Sequence, residues 1–249
     1  MTIITVLVLP EGIILGADTQ TTIFISEKDS SGNEKFTPVN FFRNSQKIFD
    51  LTVRNKNIFA LSQFGIANPG GKPLSTHVFS IREILEREED NKLNSVESVS
   101  EIILTYFKQF SEKQRFGLGF YISGFNKEED KVIPCVHLIN FKKSQNGNYE
   151  VEDTQVFKGT YNIAWAGEGG WIISKLIKLS DPNKGIPRSV IPYSLLSLND
   201  GVELTEYLIN TVIGFERFQS RFPSCGGKAR ISVLTPKEYS DLEISEKKY

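Results

Sequence analysis

Cysteine and histidine are scarce in this sequence. Cys135 and Cys225 are the two cysteines in 249 residues, too few for a disulfide framework or a four-ligand zinc site. His77 and His137 are the two histidines, so a Ser/His/Asp catalytic triad has little support. We expect these four side chains to serve the structure. The sequence predicts no metal and no cofactor.

An excess of charge and long apolar runs are also lacking. The formal net charge is -1, so the composition gives no electrostatic reason for nucleic-acid binding. No apolar run approaches the roughly 20 residues that span a bilayer, and the N-terminus lacks the basic segment and cleavage site of a signal peptide. We therefore expect a cytoplasmic protein without a nucleic-acid or membrane partner. The length and the 39% hydrophobic content favour one domain over residues 1–249.

The sequence does contain a threonine directly after the initiator methionine. If Met1 is removed, Thr2 becomes an N-terminal residue whose Oγ attacks a carbonyl while its own α-amine accepts the proton. A free α-amino group has a pKa of about 7.7 to 8.0, so a useful minority is deprotonated at neutral pH. We expect Thr2 to carry no propeptide and a methionine aminopeptidase to expose it.

Two charged residues are predicted to lie near this threonine. Residues 2–9 and 12–22 have the composition of two strands joined by a tight turn, and such a hairpin brings Asp18 close to Thr2. A third predicted strand carries Lys47 near its start. Because lysine side chains ordinarily stay protonated, we expect Lys47 to act as a cation that lowers the proton affinity of the amine and hydroxyl, with Asp18 holding it in place.

These residues belong to motifs that resemble a known family. The motifs are Thr2, Gly12-Ile-Ile-Leu-Gly-Ala-Asp18, Lys47-Ile-Phe, Gly65, Ala166-Gly167-Glu168-Gly169 and Cys225-Gly226-Gly227. Together they resemble the proteasome β-subunit group of N-terminal nucleophile hydrolases, the peptidases of bacterial and archaeal proteasomes. The resemblance implies that Thr2, Asp18 and Lys47 are catalytic and that the backbone N–H of Gly65 binds the oxyanion. Placing Lys47 in the pattern requires a surface-loop insertion at about residues 27–40.

Three positions depart from that pattern. The family supports its threonine with serines in two glycine-rich turns and an aspartate before the second turn, where this chain has Glu168, Cys225 and Phe222. Glu168 either replaces the missing carboxylate or stabilises a helix N-terminus, and Cys225 is a candidate supporting residue. By the resemblance, Gln63 lies at the base of the specificity pocket, which predicts a preference for small or uncharged substrate residues.

The predicted elements run in blocks of strands and blocks of helices. Apolar residues recur at helical spacing over residues 74–85 and 96–110, and again over 171–179 and 204–218. Blocks of this kind predict an α+β protein with antiparallel sheets rather than alternating βαβ units. The resemblance refines this expectation to a four-layer αββα sandwich, in which helices flank two antiparallel sheets, the N-terminal nucleophile hydrolase fold.

The predicted function is that of a threonine peptidase, which hydrolyses peptide bonds through an acyl-enzyme on Thr2. Two alternatives stay open: an amidohydrolase of the same fold that acts on a small amide, and a non-catalytic ring or scaffold subunit. The resemblance implies a peptide or unfolded protein substrate and a homo-oligomeric ring. Aromatic residues of the last helical block, including Phe215, Phe218 and Phe222, add modest support for a subunit contact. The sequence identifies no ATPase partner.

Overall fold

Strands and helices follow one another in blocks. The computed structural model describes residues 2–28, 34–54, 56–111, 117–128, 131–143, 149–177 and 191–242. The first block holds β1 (Ile3–Leu9), β2 (Gly12–Asp18), β3 (Thr21–Lys28), β4 (Glu34–Phe42), β5 (Ile48–Asp50) and β6 (Phe59–Gly65), followed by α1 (Leu74–Arg87) and α2 (Val96–Ser111). The second holds β7 (Leu118–Glu128), β8 (Lys131–Lys143), β9 (Tyr149–Lys158) and β10 (Asn162–Gly167), followed by α3 (Gly170–Ile177) and α4 (Leu198–Arg217). Strands β11 (Ala229–Leu234) and β12 (Tyr239–Leu242) end the described chain.

The strands form two five-stranded sheets and one separate hairpin. The first sheet has the order β10-β1-β2-β11-β12, the second has the order β5-β6-β7-β8-β9, and β3 pairs only with β4. Every pairing between these strands is antiparallel. The α+β class predicted from the order of elements is therefore confirmed.

Strand β1 is buried on both faces, which places the N-terminus inside the molecule. Side chains alternate along a strand, and Ile4, Val6 and Val8 pack with residues of the second sheet, including Tyr121. The opposite side chains of β1 pack in another cluster with residues of α3 and α4. The residue that precedes β1 is consequently held between layers rather than at a loose end.

Helices α1 and α2 cover the other face of the second sheet. Their buried apolar residues recur at the three- and four-residue spacing that puts side chains on one helix face. The shared core includes Val78, Ile81, Val99, Ile103 and Phe107. The periodicity predicted both helices, and the structure confirms them. No helix of the described segments is long and apolar enough to cross a membrane.

The segment expected to be a surface loop at about residues 27–40 is largely strand. Strand β3 pairs with β4 from Thr21↔Phe42 to Lys28↔Glu34, and residues 29–33 lie outside the described part of the chain. Strand β3 begins with Thr21-Thr-Ile-Phe24 and β4 ends with Phe41-Phe42. These β-branched and aromatic residues favour extended backbone, whereas the prediction gave weight to the polar residues between them. Strand β12 was not predicted. The assignment of the chain to one domain stays a prediction.

Candidate active site

The carboxylate of Asp18 is the centre of the candidate site. Asp18 ends β2 and is completely buried, with four donors around its two oxygens. Oδ1 accepts hydrogen bonds from the backbone N–H of Ile3 at 3.0 Å and from Nζ of Lys47 at 2.7 Å. Oδ2 accepts from the backbone N–H groups of Gln20 at 3.2 Å and Gly226 at 3.0 Å. Such a donor set stabilises a buried negative charge.

Lys47 is the cation of this pair and is buried like its partner. Its side chain is only 3% exposed. Residue 47 directly precedes β5, and its carbonyl oxygen accepts a hydrogen bond from the backbone N–H of Gln63 at 2.8 Å. That bond ties the lysine to β6, whose last residue is Gly65. The structure thus brings together the aspartate and the lysine, which lie 29 positions apart in the sequence.

Thr2 adjoins this ion pair through its neighbour in the chain. Ile3 directly follows Thr2, and its N–H donates to Asp18. The backbone of Thr2 therefore lies next to the Asp18–Lys47 pair. Thr2 is 3% exposed. Its carbonyl oxygen lies where a Cβ on Gly167 would approach to 1.9 Å, and Gly167 has φ +100°. Gly167, in the first of the two glycine-rich turns, therefore allows the backbone of Thr2 to pass at close range.

Gly65 also occupies a position that requires glycine. Its φ is +88°, and an added Cβ would lie 2.1 Å from the carbonyl oxygen of Gly117. The predicted role of its N–H in binding an oxyanion stays a prediction. Gln63, the predicted specificity residue, is buried, and its side-chain amide donates to the carbonyl oxygen of Ile66. Its effect on substrate choice is likewise untested.

Hydrogen bonds join the turn before β11 to Asp18 and the residue that follows it. The N–H of Gly226 binds Asp18, and the carbonyl oxygen of Gly226 accepts from the N–H of Thr19 at 3.2 Å. Cys225, predicted to support the site, is 1% exposed. Burial raises the pKa of its thiol to about 12, and the negative charge of Asp18 adds to the effect. The thiol is therefore neutral and unreactive at physiological pH.

Glu216 is a buried carboxylate that the sequence did not reveal. It is completely buried on α4, where Oε2 accepts from both the N–H of Ser224 at 3.0 Å and its Oγ at 2.8 Å. Oε1 accepts from Arg221 at 2.7 Å. Glu216 follows Leu208 and Val212 at four-residue spacing on the buried face of the helix, and a carboxylate in that register is the signal that identifies it. Through Ser224 it holds the chain next to Gly226.

Glu168 is connected to this network at the surface. It is 47% exposed, and one carboxylate oxygen lies 3.6 Å from Arg221. Arg221 therefore bridges Glu168 and the buried Glu216. Glu168 also precedes α3 by two positions, as expected for an acidic residue near a helix N-terminus. Phe222, at the position where the resemblance implied an aspartate, packs edge-to-face against Phe41 at 5.7 Å.

The described residues include no group of three histidine, cysteine, aspartate or glutamate side chains arranged to hold a metal ion. Both ring nitrogens of His77 are occupied by Tyr106 and the carbonyl oxygen of Pro69, at 3.0 and 2.9 Å. His137 pairs with Asp153 at 3.1 Å. Chemically, the candidate site offers a threonine, a buried cation and a carboxylate that fixes the cation.

Comparison with known proteins shows the same fold in solved structures of Anbu proteins. An Anbu (Gly-1) mutant from Hyphomicrobium sp. strain MC1 matches with a TM-score of 0.59 and 14% identity, over 99% of this chain and 88% of that chain. Anbu (ancestral beta-subunit) from Yersinia bercovieri matches with a TM-score of 0.54 and 13% identity, again over 99% and 88%. No protein-family model and no curated protein sequence matches the chain.

These findings correct the family assignment made from the sequence. The identification as a bacterial or archaeal proteasome-type β-subunit peptidase was wrong, because no family model matches and the similar structures are Anbu proteins at 13–14% identity. The motifs behind it are short and widely spaced. Glycines such as Gly65 and Gly167 are required here by close backbone approaches, so part of the pattern reflects fold geometry rather than family membership.

Proposed function

We propose that this chain is an N-terminal threonine hydrolase that cleaves peptide bonds through an acyl-enzyme on Thr2 after removal of Met1. The observation that carries the proposal is the buried Asp18–Lys47 pair, at 2.7 Å, bound to the backbone next to Thr2. A buried ion pair is costly to desolvate and brings little stability compared with apolar packing. Its presence beside a potential nucleophile therefore supports a chemical role.

In the proposed reaction, Oγ of Thr2 forms a bond to the carbonyl carbon of the peptide, and the free α-amine of Thr2 accepts the hydroxyl proton. Lys47 lowers the proton affinity of both groups by its charge, and Asp18 holds that charge in place. The N–H of Gly65 stabilises the oxyanion. The proton then passes to the leaving amine, and water hydrolyses the ester to release the acid and restore Thr2.

Two structural expectations belong to the same proposal. We propose that α1 and α2, the two five-stranded sheets, and α3 with α4 form the four layers of the αββα sandwich of N-terminal nucleophile hydrolases. The three apolar clusters between these elements support it. We also propose that the protein works in the cytoplasm.

A covalent probe tests the chemistry. Peptide epoxyketones react with both the hydroxyl and the amine of an N-terminal threonine, so mass spectrometry should show one adduct on Thr2 and none on the Thr2→Ala variant. Lys47→Ala should lower the rate of peptide hydrolysis about a hundredfold or more, and Lys47→Arg should restore little because a planar guanidinium does not fit an ammonium site. Protein that hydrolyses peptides with Met1 still attached would overturn the proposal.

The burial of Thr2 favours a second candidate, a non-catalytic scaffold subunit. A threonine that is 3% exposed offers a substrate carbonyl little access. The same labelling experiment separates the two functions. A scaffold subunit gives no adduct on Thr2 and no hydrolysis, even when mass spectrometry shows that Met1 has been removed.

For either function we propose assembly into a homo-oligomeric closed ring, since closed rotational symmetry satisfies every repeated heterologous contact without growing a filament. The outer face of α3 and α4 supports this proposal: Phe218 is 82% exposed, and the exposed rings of Trp171 and Phe215 lie 5.3 Å apart. Phe222 does not belong to that face, because it is partly buried against Phe41. Light scattering coupled to size-exclusion chromatography tests the ring. A single species near the 28.1 kDa of one chain would contradict it.

A further inference from the structure

A cavity of about 640 Å³ lies against the turn that precedes β11. Three cationic side chains and three apolar ones line it, namely Arg43, Arg217, Lys228, Phe41, Ile213 and Pro223. We call it the cationic cavity. Its size falls within the range of pockets that bind small ligands or side chains, roughly 300–1,000 Å³.

The charge of the cationic cavity has one sign. Among the described residues that line it there is no aspartate and no glutamate. Glu216 adjoins Arg217 in the sequence, but it is completely buried and accepts hydrogen bonds from Arg221 and Ser224. Its charge is therefore already balanced by other donors, and an anion entering the cavity meets cations without a competing carboxylate on the wall.

Aromatic contacts hold the two arginines. The guanidinium of Arg43 lies 5.0 Å from the ring centroid of Phe41, and that of Arg217 lies 5.8 Å from the ring of Phe218. Stacking on a ring leaves the N–H edge of a guanidinium available for a carboxylate. Because contact with a ring restricts an arginine side chain, less side-chain entropy is lost when a ligand binds.

The cationic cavity adjoins the candidate active site through two backbone groups. Gln20 and Gly226 both line the cavity, and the N–H of each donates to Oδ2 of Asp18. The cationic cavity is not lined by Gln63, the predicted specificity residue.

We propose that the cationic cavity binds a carboxylate attached to an apolar group, as presented by a peptide substrate. The arginines bind the carboxylate, and Phe41, Ile213 and Pro223 contact the apolar part. The carboxylate is either an acidic side chain or the C-terminus of the peptide. This proposal rests on the proposed function only in taking the ligand to be a peptide.

Binding is measured without hydrolysis, by isothermal titration calorimetry of the full chain with three tripeptides that share a central phenylalanine. The first has a glutamate side chain and an amidated C-terminus, the second has glutamine and a free C-terminus, and the third has glutamine and an amidated C-terminus. The N-termini are acetylated, and mass spectrometry after titration confirms that the peptides are intact. We expect at least one of the two anionic peptides to bind about tenfold or more tightly than the neutral one. The tighter of the two identifies the carboxylate.

Arg43→Gln and Arg217→Gln should each lower the affinity for the anionic peptide about tenfold, and raised salt should weaken the binding of that peptide. Arg87→Gln is the matched control, since Arg87 lies in the last turn of α1 as Arg217 lies in the last turn of α4, and it should bind like the unmodified protein. Equal affinity for the neutral peptide, no binding of any peptide, or unchanged affinity in both cavity variants would overturn the proposal. These results do not depend on an adduct at Thr2, so failure of the proposed hydrolysis is detected separately.

Discussion

Breaking the buried ion pair should have unequal effects depending on which partner is changed. In Lys47→Met the ammonium is lost, but the carboxylate of Asp18 keeps its three backbone donors, from Ile3, Gln20 and Gly226. Removing one partner of a buried pair typically lowers the free energy of unfolding by about 3–5 kcal/mol. Because three N–H groups still stabilise the anion, we expect a loss near the lower limit, about 3 kcal/mol.

Asp18→Asn should be the more damaging change. The amide carries an NH₂ group in place of one of the two oxygens. At the Oδ1 position this group faces the N–H of Ile3, and at the Oδ2 position it faces the N–H groups of Gln20 and Gly226. Each pair of opposed donors leaves a buried group unsatisfied, at about 1–3 kcal/mol, and Lys47 is left as a buried charge without its partner. We expect a loss of about 5 kcal/mol in total.

Urea denaturation followed by circular dichroism measures both variants, with the slope of the transition checked for constancy. The control is Lys92→Met, which removes the exposed Lys92–Glu88 pair and should leave the denaturation midpoint unchanged. The reasoning is refuted if Lys47→Met lies within about 1 kcal/mol of the unmodified protein, far below the cost of breaking a buried pair. It is also refuted if Asp18→Asn is the milder change.

Three other predictions concern α4 and the turn that follows it. Glu216→Gln should lower the free energy of unfolding by about 2–3 kcal/mol in the same urea assay, because an amide cannot accept on both sides as the carboxylate does for Ser224 and Arg221. Cys225 should resist iodoacetamide at pH 7.5 in the folded protein and react fully in urea, as read by mass spectrometry, because burial raises the pKa of its thiol to about 12; labelling of the folded protein would contradict this. Ser197→Ala should lower the Tm by about 2–4 °C through loss of the N-cap of α4. Hydrogen bonds from Ser197 lower the pKa of Asp200. The stabilisation from these hydrogen bonds is therefore present above the unfolded pKa of the carboxyl group and is lost as the pH falls through its folded pKa. The Tm difference between Ser197→Ala and the unmodified protein should accordingly shrink in acid.

The amino-acid sequence by itself determined the elements whose residues lie close together in the chain. A short turn joins β1 and β2, and antiparallel pairing of Ile4 with Ala17 places Asp18 beside the N-terminal residues. The apolar periodicity of α1 and α2 likewise specifies which helix faces are buried. Lys47 is recognisable because a lysine at the start of a strand next to such a hairpin has a carboxylate within reach.

Only the tertiary structure decided what surrounds that carboxylate. Three of the four donors to Asp18 are backbone N–H groups, those of Ile3, Gln20 and Gly226. Every residue except proline carries that group, so no residue type reveals these donors. The sequence places Glu216 at four-residue spacing from Leu208 and Val212, but only the packing of α4 shows that it is buried and bound to Ser224. The cationic cavity combines residues near β4, at the end of α4 and before β11, and local patterns carry no information about contacts between such distant segments.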